Sequence, residues 1–217
     1  MPPRPSIGTQ ASQVASRRKR SKGDLTSQAI LDTAERLLET RSLDEIAVDE
    51  LTSGAGVSRS TFYFHYESRE AVLLALSERV ADAMHESAAL WLRRGSEPPE
   101  DAIRRALTAA LTLWRNHGPV LRAALRARDV NPRMREFWSE VGRRFIDAAA
   151  EQIERERAAG LALPGPPDAR LLATVLESMN EQACFTQSLS RRSPARDRKL
   201  VDALTVIWLR SVYGITQ

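Results

Sequence analysis

Apolar residues recur along this chain at intervals of three and four, without sustained apolar/polar alternation bounded by turn signals, so the pattern predicts helices throughout and an all-α fold. Ile30, Leu31, Ala34, Leu37 and Leu38 put one apolar stripe on a first helix over residues 25–40, and a short second helix fits residues 48–53. Gly54 and Gly56 then interrupt the chain, Val57 supplies an apolar plug, and Ser58 is a suitable N-cap for a third helix over residues 59–66. A fourth helix begins near Ser68 and carries Val72, Leu73, Leu76, Val80 and Met84 on a buried stripe. The turn at Glu97, Pro98 and Pro99 ends that region, and an amphipathic helix from residue 100 carries Ile103, Leu107, Ala110, Leu111 and Trp114. Pro119 and Pro132 mark further boundaries. Met134, Phe137, Trp138, Val141 and Phe145 line one side of a long helix ending near Gly160, after which LALPGPPDA is a loop. In the last two helices, Leu172, Val175, Leu176, Met179 and Ala183 form one stripe and Leu200, Ala203, Leu204, Ile207 and Ser211 another. Three parts result: an arm over residues 1–23, a three-helix head over 24–70 and a larger helical body over 71–217.

With 42% hydrophobic and 28% charged residues among 217, the chain can bury a sizeable core. The single cysteine, Cys184, excludes an intramolecular disulfide and a Cys-rich metal site, which predicts a reducing, cytoplasmic setting. No apolar run approaches the roughly 20 residues that span a bilayer, and the N-terminus is polar, so no membrane partner is expected. The net charge of +4 is unevenly placed: Arg4, Arg17, Arg18, Lys19, Arg20 and Lys22 precede the first acid, Asp24, which leaves −2 for the rest. Residues 1–23, rich in Pro, Ser and Gln and without periodicity, read as disordered. A basic run of this kind is either a solubilising tail or an arm that neutralises phosphates and enters a minor groove. Its place directly before a helix, tight turn, helix unit favours the second, with Arg17, Arg18, Lys19 and Arg20 as the contacts.

Such a unit suits DNA because its second helix fits the major groove with N-terminal side chains at base edges. Arg59 and Ser60 can donate to base edges or phosphate, Thr61 offers a methyl and a hydroxyl, Tyr63 and His65 present polar tips, and one of Phe62 and Phe64 must pack inward. The stretch LTSGAGVSRSTFYFHYESREAVLLAL, residues 51–76, resembles the DNA-binding signature of TetR-family repressors, strongly over residues 25–80 and more weakly to the C-terminus. The TFYFHY run, MNEQ at 179–182 and IWLRSVYG at 207–214 are similar to the ethionamide-resistance-repressor subgroup.

The resemblance implies that Arg59, Ser60, Thr61, Tyr63 and His65 face DNA and that Arg69, where relatives usually carry Lys, meets a phosphate. Ala47 departs from the usual Ser or Thr cap, a loss of about 0.5–2 kcal/mol locally that also removes an expected DNA contact. Trp114, Trp138, Phe145 and Trp208 at helical spacing read either as core or as pocket. The resemblance favours a mainly hydrophobic pocket at Ile103, Leu107, Ala110, Trp114, Trp138, Phe145, Asn180 and Trp208, with Asn180 as the polar handle and Glu177 where the subgroup favours a neutral amide. Small residues at Ala110, Gly142, Ala148 and Ala149 predict a pocket outline different from that of relatives. A homodimer through Leu172, Val175, Leu176, Met179, Leu200, Leu204 and Ile207 is implied as well.

No catalytic, metal or cofactor site is expected. His65 lies in the recognition helix, His85 on a helix surface and His117 before a Gly-Pro turn, with no zinc spacing, nucleophile elbow or phosphate-binding glycine pattern. The expected function is a ligand-responsive repressor that binds a palindromic operator in double-stranded DNA as a dimer and is released by a hydrophobic small molecule. The competing readings are a DNA-binding protein without small-molecule control and a helical cytosolic enzyme with dispersed catalytic residues.

Overall fold

The computed structural model describes residues 22–92 and 95–215, and every regular element among them is helical. The arm cations Arg17, Arg18, Lys19 and Arg20 lie outside the described residues. Helix α1, Lys22–Leu38, starts two residues inside the stretch assigned to the arm, with Asp24 in its first turn, where a carboxylate complements the helix dipole. A single 3₁₀ turn, Leu43–Glu45, leads to α2, Val48–Ala55, and then to α3, Arg59–His65. Ile30, Ala34 and Leu38 of α1, Leu51 of α2, Phe62 of α3 and Ile46 between them close the core of the head.

The body comprises α4, Arg69–Leu92, α5, Pro99–Asn116, α6, Gly118–Val130, α7, Pro132–Ala158, α8, Ala169–Leu189, and α9, Pro194–Trp208, which runs into a π-helical turn, Leu209–Tyr213. Proline sits in the first turn of α5, α6, α7 and α9, where its missing N–H would have no partner anyway. The caps that precede α7, α8 and α9 are Asn131, Asp168 and Ser193, whose side chains accept from the backbone N–H groups of Met134, Leu171 and Arg196.

Head and body share one core. Val72, Leu73 and Leu76 on the first half of α4 are buried with Ile30 and Phe62, and Val80, Leu107, Val120 and Met134 continue the same cluster into the body. Polar contacts lock the junction: Arg79 of α4 pairs with Asp32 at 3.0 Å and with Glu35 of α1, and Glu35 also meets Nδ1 of His117 at 2.6 Å, between α5 and α6.

Two expectations from the helix stripes are corrected here. Leu172, Leu176 and Leu204 are buried within the single chain rather than presented on its surface, while Met179 and Leu200 are half-buried against the same core. Of the expected interface, Val175 and Ile207 stay exposed, and Leu171 and Leu189 join them. Adjacent helical residues point about 100° apart, and α8 is apolar on both the inner and the outer face, so spacing alone merged two stripes. His85 is likewise not a surface residue. It is half-buried, stacked on Phe145 with ring centroids 4.5 Å apart, and its Nδ1 lies 2.8 Å from the carbonyl of Ala81.

Candidate functional site

The turn between α2 and α3 is set by two glycines with different duties. Gly56 takes a left-handed conformation, φ 66°, as the α2 C-cap, and the next N–H, from Val57, returns to the Thr52 carbonyl at 3.0 Å. Gly54 permits a close crossing of α1 and α2, since a Cβ there would lie 2.5 Å from Cγ2 of the buried Thr33. Ser58 then caps α3: its Oγ accepts from the Thr61 N–H at 3.1 Å and lies 2.8 Å from the hydroxyls of both Ser60 and Thr61. At the α2 N-terminus, Ala47 offers no side-chain cap, yet Glu50 accepts its backbone N–H at 3.0 Å, so half of a capping box survives. That hydrogen bond holds the Glu50 carboxyl below its usual range, helped by Arg41.

Phe62 is fully buried and anchors α3, which turns Arg59, Ser60, Tyr63 and Phe64 outward. Thr61 and His65 are half-buried on the flanks. Phe64 is 85% exposed, an unusual position for a large apolar ring, and meets His65 edge-on with centroids 5.2 Å apart. Arg59 lies 3.0 Å from the Asp49 carboxylate of α2, and Tyr63 and then Asp49 hold its guanidinium yet more firmly protonated. Arg69 is engaged differently. Its Nη1 donates to the carbonyls of Asp44 at 2.9 Å and Ile46 at 3.1 Å, and its Nε to Glu70 at 3.1 Å, so it ties the start of α4 to the loop before α2. The outward side of α3 therefore combines a cation, hydroxyls and aromatic edges on one short rigid helix, the groups that base edges and phosphates accept.

In the body, the eight positions picked out as a pocket all line one cavity of about 500 Å³, within the usual range for small-molecule sites. Aromatic walls come from Trp114, Trp138, Phe145 and Trp208, and Trp114 meets Phe185 edge-on. Of the small residues, Ala110, Gly142 and Ala149 line the cavity, whereas Ala148 does not; a Cβ on Gly142 would meet nothing within 4 Å. Asn180 accepts from the Trp208 indole N–H at 3.1 Å. One turn away, Glu177 projects into the same cavity, and enclosure pushes its carboxyl up to about 7, against the opposing hydrogen bond from Asn180. Burial, with the Glu177 charge beside it, pushes the Cys184 thiol up to about 12, so it stays a neutral wall group.

Residues 30–76 match the family model of bacterial regulatory proteins of the tetR family, and residues 103–214 match that of the C-terminal domain of the transcriptional regulator EthR. The chain is 39% identical over 201 residues to the HTH-type transcriptional regulator EthR of Mycolicibacterium smegmatis, covering 91% of both chains. It is 38% identical over 215 residues to EthR of Mycobacterium tuberculosis, covering 96% of this chain and 97% of that one. The chain belongs to the TetR family of transcriptional regulators. Solved structures agree on the fold: a TetR-family regulator from Mesorhizobium loti superposes with TM-score 0.71 at 21% identity, covering 89% of this chain and all of that one. NemR of Escherichia coli in its reduced form gives 0.68 at 20% identity, over 88% of this chain and all of the other.

TetR-family members are regulators, not enzymes, and among the described residues no group of three or more His, Cys, Asp and Glu could hold a metal ion. Nor is any described helix long and apolar enough to cross a membrane. Within this TetR-family frame, sequence reasoning left out the contribution of α4 to the cavity, where Met84, Ala88 and Trp91 form a wall and Trp91 packs edge-on to Trp208 at 5.1 Å. The signal was present, since Trp91 follows Met84 by seven residues on the stripe already traced through Val80.

Proposed function

We propose that this EthR-like regulator is a repressor that grips a palindromic operator as a homodimer and lets go when a mainly apolar small molecule fills the body cavity. The observation that carries this reading is α4: Val72, Leu73 and Leu76 belong to the core shared with the head, and Met84, Ala88 and Trp91 of the same 24-residue helix form a cavity wall. A ligand that prefers one setting of α4 therefore prefers one setting of the recognition helix. Arg59, Ser60, Thr61, Tyr63 and His65 contact the operator, Arg69 holds the frame that presents them, and the basic arm adds phosphate contacts. Two heads are brought onto successive half-sites by a four-helix contact through the outer faces of α8 and α9, where Leu171, Val175 and Ile207 are exposed.

Selection of bound duplexes from a random pool with purified protein tests the DNA side and is expected to yield an inverted repeat. With that operator in hand, calorimetry of a cavity-filling compound with and without saturating DNA tests the coupling. A preference of roughly 1–3 kcal/mol for the DNA-incompetent state weakens operator binding about 5- to 150-fold, and by linkage DNA weakens the compound equally. Equal compound affinities in the two titrations would leave a DNA-binding regulator without small-molecule control.

A further inference from the structure

We infer that the cavity is built for a ligand with an amine head on an apolar body, and that the carboxylate of Glu177 receives the head, a deepening that rests on the effector-site reading above. The cavity walls are aromatic and aliphatic, and the other charged groups that border it already have partners. Arg128 of α6 lies 3.4 Å from Glu181 of α8, Arg143 of α7 lies 2.7 Å from Glu140 and 2.9 Å from Asp147, and Arg170 of α8 also pairs with Asp147. None of these pairs includes Glu177. Among the described residues, the remaining titratable neighbours are Cys184, a neutral thiol, and His85 of α4, stacked on Phe145; α5 and α9 add only uncharged side chains to the lining.

Asn180 fixes what the site can accept. Because the Trp208 indole N–H donates to its Oδ1 at 3.1 Å, the amide NH₂ is the end left to donate to the carboxylate, and Asn180 acts to lower the Glu177 pKa. This is the orientation that supports an ionised carboxylate. A ligand reaching this corner meets an acceptor of negative charge, and the Trp and Phe side chains that line the same cavity are of the kind that favours a cation further. Burial of the carboxyl and the like charge of Glu181 keep its acidity weak, at about 7, and an ammonium partner reverses both effects.

The test compares phenylbutylamine, phenylbutanol and phenylbutyrate, which share one apolar body, by calorimetry on the full chain. At about pH 8 the amine is expected to bind at least roughly tenfold more tightly than the alcohol or the acid, a difference of about 1.4 kcal/mol. Glu177→Gln should bring the amine-to-alcohol ratio close to one. A second readout needs no variant: as the carboxyl ionises, amine affinity of the native protein should rise about tenfold between about pH 6 and about pH 8, with little change for the alcohol. Equal amine and alcohol affinities, preference for the acid, a preference that survives in Glu177→Gln, or a flat pH profile each overturn the inference. If the alcohol binds and weakens operator binding while the amine is no tighter, the effector-site reading stands and the amine inference falls. If the amine binds as expected but leaves operator affinity unchanged, the inference stands and the effector-site reading falls.

Discussion

Arg59 and Glu177 are the two residues whose surroundings say most about their work. Arg59 stands in the first turn of α3 with its side chain 61% exposed against an Asp49 side chain that is 66% exposed, a contact that water screens and DNA can displace. Arg59→Ala should therefore leave the fold intact and lower operator affinity by roughly 5- to 150-fold, with preference relaxed at one position of each half-site, as expected for a bidentate contact to guanine. Anisotropy titrations against operators substituted base by base check this; an equal loss on every sequence would assign Arg59 to phosphate. Glu177 costs the fold stability instead. Its folded pKa, about 7, lies above the unfolded value near 4.5, so the folded state holds its proton more tightly. The stability linked to that proton is complete below about pH 4.5 and is lost as pH rises toward about 7. Glu177→Gln should accordingly be more stable to unfolding than the native chain at about pH 8, by up to about 3 kcal/mol, with the advantage shrinking toward about pH 4.5, as thermal or denaturant unfolding at each pH would show. An advantage that does not change with pH would mean that Glu177 is not the titrating group. A residue that destabilises its own fold inside a cavity is the pattern of a binding site.

Helix α8 illustrates what periodicity resolves and what it does not. Leu172 and Leu176 face the body while Leu171 and Val175 face out, and the sequence marks both rows as apolar without ordering them. Light scattering and circular dichroism on two variants separate the faces. Val175→Arg, on the outer face, should give monomers with native helicity and thermal stability, whereas Leu204→Arg, which buries an unpaired charge in the subunit core, should lose several kcal/mol of stability. A Val175→Arg protein that remains dimeric would move the interface elsewhere. The helix-turn-helix, by contrast, was legible in outline, because the Gly54–Gly56 turn and the Ser58 N-cap answer local demands, whereas the choice of Phe62 over Phe64 as the core anchor was not. The cavity positions were legible as a set through resemblance and spacing, yet their polar chemistry was not. Which end of the Asn180 amide meets Glu177 depends on Trp208, 28 residues further along, a contact that sequence does not encode locally. His85 was misplaced for a related reason: its partner ring, Phe145, comes from another helix.

Across the whole molecule, charge and coupling are divided between separate parts. The head is tied to the body by the Asp32, Glu35, Arg79 and His117 contacts as well as by shared core, so motion of α4 or of the junction between α5 and α6 reaches α1 directly. Its electrostatics, however, do not favour DNA. Residues 24–70 hold four arginines and ten carboxylates, and Arg41, Arg59 and Arg69 each have a carboxylate within 4 Å. A surface of that sign repels a polyanion until cations are supplied, and six of them lie in the first 22 residues with no acid among them. Removal of residues 1–21 should thus weaken binding to operator and to unrelated duplexes together, and flatten the plot of log affinity against log salt by nearly one unit for each phosphate that the arm neutralises. The effect should be largest at low salt and should leave the ratio of operator to non-operator affinity nearly unchanged, because phosphate contacts position the protein without reading sequence. Filter binding over a range of salt concentrations decides the matter: an unchanged slope after truncation would take the arm off the DNA and require the recognition helix itself to overcome the acidic head, whereas a changed operator preference would place arm cations in the minor groove.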